Sequence, residues 1–364
     1  MSKYSLVICS LLFAACGSQA PFHQVAVSNP ENFDNKIFVS YENTSSPRFA
    51  ALREKYQLDT LFRGETDEFR RVLLIRNWIK QHIRIDDTGP YPEGTDAAEK
   101  ILDEALKGHG FHCGHYMIVQ NAIMNAYGYV TRCLGAGPGI KGVADGHHGM
   151  NEVWLNSYHK WFLCDAKYNS HFEKNHVPLS ALEIRDEYLK NKGADIELVQ
   201  GTERKPITFD NEVKHEKEYF TRTYTWIEWN KYNDKYTNYP VDSSLMIMYG
   251  DNFFRNHTWI WDGKPHWAYN TPHMIIVDDR KALEWTPNTI TSKVNIEGDK
   301  ADIQLASNTP NLKTYQMKNG SGDEWRDVPA DVKVELAKDT NDFAFRSMNG
   351  SGVAGAEHRV LIER

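Results

Sequence analysis

The stretch Gly108-His109-Gly110-Phe111-His112-Cys113-Gly114-His115 constrains this chain most. A glycine-loosened turn delivers a cysteine to the start of an apolar run, residues 116–127, that reads as a buried helix. Unpaired N–H groups and the positive end of the helix dipole stabilise a thiolate there and make it nucleophilic. A histidine and an aspartate follow in strand-like surroundings, the order of a Cys-His-Asp enzyme. A fold that uses these residues must bring a helix start against a sheet.

The remaining cysteines agree with a free thiol at Cys113. Lys3 precedes an apolar stretch at 6–15, too short to span a bilayer but suited to a signal peptide. It ends Phe13-Ala14-Ala15-Cys16-Gly17-Ser18, and small residues before a cysteine resemble a bacterial lipoprotein signal in which Cys16 is acylated. The expected chain is therefore exported and sits in the cell envelope, touching membrane only through that anchor. The body then keeps Cys113, Cys133 and Cys164, an odd count that leaves at least one thiol unpaired within the chain. Cys133 and Cys164 lie in apolar runs and read as small buried residues.

With 364 residues the chain is long enough for about two or three domains. Its net charge of −7 and lack of a basic stripe argue against nucleic acid as a partner. Residues 21–45 read as an extended lead-in, and 49–56, 65–83, 97–106 and 180–192 as helices. Over 65–83, Phe69, Val72, Leu73, Ile75, Trp78, Ile79 and Ile83 recur at helical spacing. Asp86 to Pro92 is a loop, since two prolines and a glycine cannot continue a helix. Strands are expected at 130–134, 150–155 and 161–165, with a glycine-rich loop at 135–146. Residues 206–270 are rich in aromatics and carry no clear element pattern. From 271 short alternating strands at 274–277, 301–305, 312–316, 332–336, 343–346 and 358–362 predict a small antiparallel sandwich.

A cysteine nucleophile needs a base, and the base needs an orienting group. His148 is the expected base and Asp165 the orienter. If Asn156 to His159 form the hairpin loop, Leu155 opposes Lys160 and Met150 opposes Asp165. His148 and Asp165 then become diagonal neighbours on one face, within side-chain reach. A one-residue slip would separate them onto opposite faces.

A helix-start cysteine, then His-x-x-x-Glu-Val at 148–153, then Trp-x-x-x-Asp at 161–165 resembles the transglutaminase-like superfamily. The helix ending Arg76-Asn77-Trp78-Ile79-Lys80-Gln81-His82-Ile83 and the segment Tyr127-Gly128-Tyr129-Val130-Thr131-Arg132 resemble it too. The likeness covers about 65–170. It implies an α+β fold: a papain/transglutaminase-like core, with a helix-borne cysteine packed on an antiparallel sheet, followed by a small all-β sandwich. It also implies Cys113 as nucleophile, His148 as base and Asp165 as orienter. The expected organisation is a signal at 1–20, a catalytic domain at 21–205, an aromatic extension at 206–270 and a sandwich at 271–364 similar to immunoglobulin-like modules. The adjacent His147 competes with His148 for the base, and the spacing to Glu152 favours His148. No glutamine stands just upstream of Cys113 to serve as an oxyanion donor; the Cys113 N–H supplies one donor.

His109, His112, His115 and His147 are zinc ligands by type, but their spacing matches no zinc motif, and no cofactor is implied. His112, His115, Tyr116 and His147 are expected near substrate. Trp226 and Trp229 are either domain-interface core or a platform for sugar or peptide. Glu152 reads as a structural ion pair, and Met117, Ile118, Ile123 and Met124 as helix core. Three functions fit: a cysteine enzyme acting on an amide or related acyl bond in a peptide or protein, a glycan-cleaving enzyme on the same fold, and a surface lipoprotein that binds glycan or protein without catalysis.

Overall fold

The computed structural model describes residues 20–28, 37, 40–137, 147–207, 221–239, 245–251, 260–261, 264–265, 274–320 and 322–364. Cys16 and nearly all of the expected signal lie outside these residues, as does most of the 135–146 loop.

Among the described residues five helices of nine residues or more pack around a six-stranded sheet: α1 Pro47–Lys55, α2 Glu68–His82, α3 Ala97–Leu106, α4 Cys113–Ala126 and α5 Ala181–Asn191. Their ends follow local chemistry. Pro47 opens α1 behind Ser46, whose side chain accepts from the Arg48 N–H. Asp67 caps α2 through the Arg70 N–H at 2.7 Å. Ser180 and Glu183 form a reciprocal capping box on α5. Helix α4 is apolar almost all round and, past Cys113, is buried except at Met117 and Ile118.

The sheet order is Met274–Val277, Met246–Tyr249, Trp226–Asn230, Thr131–Gly137, His148–Leu155, Lys160–Cys164. All pairs are antiparallel except the first, which is parallel. Helices α1 to α4 cover one face through Val72, Ile101, Val119 and Ile123, which pack with Val153 and Phe162. Helix α5 covers the other with Met150, Trp154, Trp161, Trp229 and Trp285. In that second core Arg132 and Glu152 form a fully buried ion pair at 2.6 Å. Glu152 also accepts from Trp229 Nε1 at 2.9 Å and from the Ala181 N–H at 2.8 Å, so its expected structural role is what it performs.

A sandwich completes the chain. One sheet runs His23–Ser28, His358–Glu363, Thr340–Asn349, Leu312–Asn319, Arg326–Val328; the other runs Ile290–Glu297, Lys300–Ser307, Asp331–Glu335. Ile303, Met317, Phe345 and Val360 fill the space between them. Asn349 Nδ2 donates to the Gly128 carbonyl at 2.8 Å, tying the sandwich to the end of α4.

Two expected boundaries move. Met274–Val277 is a strand but pairs with Met246–Tyr249 in the central sheet, so the sandwich begins near Ile290 rather than 271. The lead-in is not part of the catalytic unit throughout, because His23–Ser28 pairs with His358–Glu363 as an edge strand of the sandwich. Alternation marks a strand but not its neighbour, and in both cases the partner is distant in sequence. Among the described residues no helix is long and apolar enough to cross a membrane.

Candidate active site

Glycines set the turn that places Cys113. Gly108 has φ +95°, and a Cβ on Gly110 would lie 2.1 Å from Asp86 Cβ and 3.1 Å from its backbone. Only glycine lets Gly110–Phe111 pair with Arg84–Ile85 at that approach. Phe111 is then buried as an anchor. His112 is the N-cap, its Nδ1 accepting from the Gly114 N–H at 3.2 Å, and Cys113 opens α4.

His148 opens the strand beside α4. Leu155 pairs with Lys160 and Asn151 with Cys164, the register expected from a four-residue loop, so Met150 falls opposite Asp165. His148 Nε2 and Asp165 Oδ2 are 2.7 Å apart, and both side chains are largely buried. With Nε2 engaged by Asp165, Nδ1 is the nitrogen left for the sulfur, and His148 acts electrostatically on the Cys113 thiol.

The electrostatics favour a thiolate–imidazolium pair. Burial pushes the Cys113 thiol up, but His148 and the Gly149 N–H outweigh it and hold it at about 6. Burial pushes His148 down, yet the charge of Asp165 and its hydrogen bond raise it to about 9. Burial likewise opposes ionisation of Asp165, and His148 with the Tyr168 N–H overcomes it, keeping the carboxyl below its ordinary range.

Behind Asp165 stands buried Arg76 of α2, whose charge also favours the carboxylate. Arg76 is held by Asn169 Oδ1 at 3.0 Å, His171 Nδ1 at 2.8 Å and the Gly201 carbonyl at 3.1 Å. His171 Nε2 meets Glu173 Oε1 at 2.7 Å. Burial, above all, holds His171 down at about 4, so the neutral ring accepts from Arg76 and donates to Glu173. The positioning role of Arg76 was illegible in the sequence, where it reads as one more residue of α2.

The other expected substrate contacts fare differently. His147 lies at the site: its carbonyl is 4.0 Å from Cys113 Sγ, and its Nε2 is 3.3 Å from Glu228 Oε1. That ring crosses Gly135, where a Cβ would sit 2.2 Å from Nε2. His112 is engaged in capping, and its ring stacks on Tyr91. His115 is buried, with Nε2 3.1 Å from the Pro90 carbonyl; burial and then His112 push it down to about 4, so it is a neutral structural donor.

Tyr116 does not reach substrate either, because its buried hydroxyl donates to the Ile83 carbonyl at 2.5 Å. Trp226 and Trp229 are 1% and 0% exposed and form core, not a platform. A helical or strand residue cannot be sorted into cleft or core from a local run when the element is covered on both sides. Tyr91 had no sequence signal beyond its place between two prolines, yet its hydroxyl lies 2.9 Å from where a Gly114 Cβ would be.

Among curated proteins none matches this chain. Residues 56–166 match the family model described as the transglutaminase-like superfamily, a stretch that ends one residue after Asp165 and so includes Cys113, His148 and Asp165. The chain therefore carries a transglutaminase-like core over residues 56–166.

Proposed function

We propose that this protein is a cysteine enzyme that cleaves or transfers an acyl group at an amide bond of a peptide or protein. The observation that supports this is the Cys113–His148–Asp165 array at the start of α4, with His148 Nε2 and Asp165 Oδ2 2.7 Å apart. The Cys113 thiolate attacks the carbonyl carbon, and the S–C bond forms. The Cys113 N–H at the helix start donates to the developing oxyanion. As the C–N bond breaks, the His148 imidazolium gives its proton to the leaving amine, and a thioester remains. Water, deprotonated by His148, attacks that carbon, and the thiolate leaves; an incoming amine would complete transfer instead. Asp165 holds the ring in place and stays ionised throughout.

The glycan-cleaving alternative draws on the aromatic segment at 206–270 and the export signal; within that segment Trp226 and Trp229 are buried and offer no sugar platform. Export with acylation at Cys16 is part of the proposal and rests on the sequence of residues 1–18 alone.

Iodoacetamide at pH 6.5 followed by peptide mapping tests the cysteine chemistry without a known substrate. Alkylation should fall on Cys113 and spare Cys133 and Cys164, whose thiols burial pushes up to about 12 and 11. Cys113→Ala should abolish turnover of peptidyl amides with an unchanged thermal melt. An unreactive Cys113, or full activity in the alanine variant, overturns the proposal and favours a non-catalytic binding protein.

A further inference from the structure

A cavity of about 140 Å³ is lined by Met117 and Ile118 of α4, one turn along the helix from Cys113. Cys133 and Asn230 wall it, on strands to one side of His148–Leu155, whereas Asp165 follows the strand on the other side. Tyr91 forms one wall. Its ring centroid is 5.2 Å from that of His112, nearly parallel, and its hydroxyl abuts Gly114, so it touches both chain neighbours of Cys113. Met117, one turn along α4 from Cys113, continues the wall with Ile118. These are the two α4 residues past Cys113 that are not buried, in a helix otherwise enclosed.

The lining selects for shape and low polarity. Met117, Ile118, Ala98 and the rings of Tyr232, Tyr236 and Tyr239 present apolar surface. Two of the polar groups there are already used: Asn121 Nδ2 donates to the Asn233 carbonyl at 3.3 Å, and the Tyr236 hydroxyl to Glu99 at 2.7 Å; Glu93 and Asn230 also line the cavity. A cavity of about 150 Å³ holds one benzene ring, so the size suits a single aromatic or branched aliphatic side chain. Lys235 also lines it, and burial holds its ammonium below the usual range, a sign of poor hydration.

We propose that this cavity takes an aromatic or branched aliphatic side chain of a peptide substrate, at or next to the residue whose carbonyl Cys113 attacks. This rests on the cysteine-enzyme reading above. It turns Met117 and Ile118, expected as plain helix core, into specificity residues.

Two measurements separate the pocket from the chemistry. In the first, the folded Cys113→Ala protein is titrated calorimetrically with N-acetyl-phenylalaninamide, N-acetyl-glycinamide and N-acetyl-lysinamide. The phenylalanine amide should bind at least about 10-fold tighter than the other two. In the second, kcat/KM is measured on peptidyl aminomethylcoumarins carrying Phe, Leu, Gly or Lys at the last and penultimate positions. Phe and Leu should exceed Gly and Lys by about 10- to 200-fold at one of those positions. Ile118→Trp fills the cavity and should shrink that preference to about threefold or less. Met117→Ala enlarges it and should move the optimum toward naphthylalanine; either variant suffices if the other does not fold. Equal binding of the three amides, or an undiminished preference in a folded filled variant, overturns the pocket assignment. Tight phenylalanine-amide binding that Ile118→Trp abolishes, with no coumarin substrate turned over, upholds the pocket and overturns the amide-cleavage reading instead.

Discussion

Asp165→Asn isolates the charge that organises the site, because it keeps the shape of the side chain. Asp165 lies 2.7 Å from His148 Nε2 and is 5% exposed, so no solvent ion replaces it. Its charge is the main influence that lifts His148 to about 9 against burial. Without it, burial leaves His148 neutral at pH 7, and Cys113 loses the imidazolium that opposes its own burial. Its thiol should move from about 6 to above the ordinary value of about 8.5. That is a loss of more than about 3 kcal/mol of thiolate stabilisation.

The rate at one pH is the wrong readout for this shift. At pH 7 the thiolate fraction falls roughly 30-fold, from about 90% to about 3%. Each remaining thiolate becomes roughly 10-fold more nucleophilic, because nucleophilicity rises with thiol pKa. The net loss of alkylation is only about threefold. The midpoint of the iodoacetamide rate against pH carries the information, and it should rise by at least about 2 pH units. Turnover should fall further, by about 10²–10⁴-fold, because the neutral ring cannot protonate the leaving amine. A midpoint still near 6 in a folded Asp165→Asn protein would refute the assignment of Asp165 as the source of the pair's charge.

Further outcomes follow from the same geometry. In the unsubstituted protein kcat/KM should rise as pH passes about 6, where Cys113 deprotonates, and fall through about 9, where His148 loses its proton; a profile flat between pH 5 and 10 contradicts the ion pair. Glu152→Gln strands Arg132 in the core and should cost about 3–5 kcal/mol in urea unfolding, while the alkylation midpoint of the folded protein stays near 6. A loss under about 1 kcal/mol would mean that the buried pair is structurally dispensable. Gly110→Ala forces a Cβ into Asp86 and should cost about 1–3 kcal/mol in thermal unfolding, with Cys113 less reactive as its turn shifts. Gly108→Ala, where the Cβ meets open space but φ is +95°, should cost about 1 kcal/mol. Equal melting of both variants would show that the approach at Gly110 is not tight.

Much of the catalytic geometry was legible because it is local or nearly so. Cys113 at a helix start depends on a few consecutive residues, and the His148–Asp165 diagonal follows from the two-residue period and a four-residue loop. Neither step needs knowledge of a distant partner. Helix α2 was legible through its apolar spacing.

What the tertiary structure alone decided concerns who meets whom across long separations. His23–Ser28 joins a strand near the other end of the chain, and Met274–Val277 leaves the sandwich for the central sheet. Trp229 became core because α5 and Trp285 cover the face it occupies, and Trp226, three residues earlier on the same strand and so on its other face, is buried as well. Arg76 came to stand behind Asp165, Glu228 beneath His147, and Tyr91 beside Cys113, pairings between segments whose local patterns are silent about each other. Periodicity records which faces of an element are apolar, whereas the sorting of those faces into core, cleft or pocket depends on packing summed over the whole chain. The order and register that bring His148 to Asp165 were therefore readable along the sequence, and the cavity lined by Met117 and Ile118 became visible only once the helices closed on the sheet.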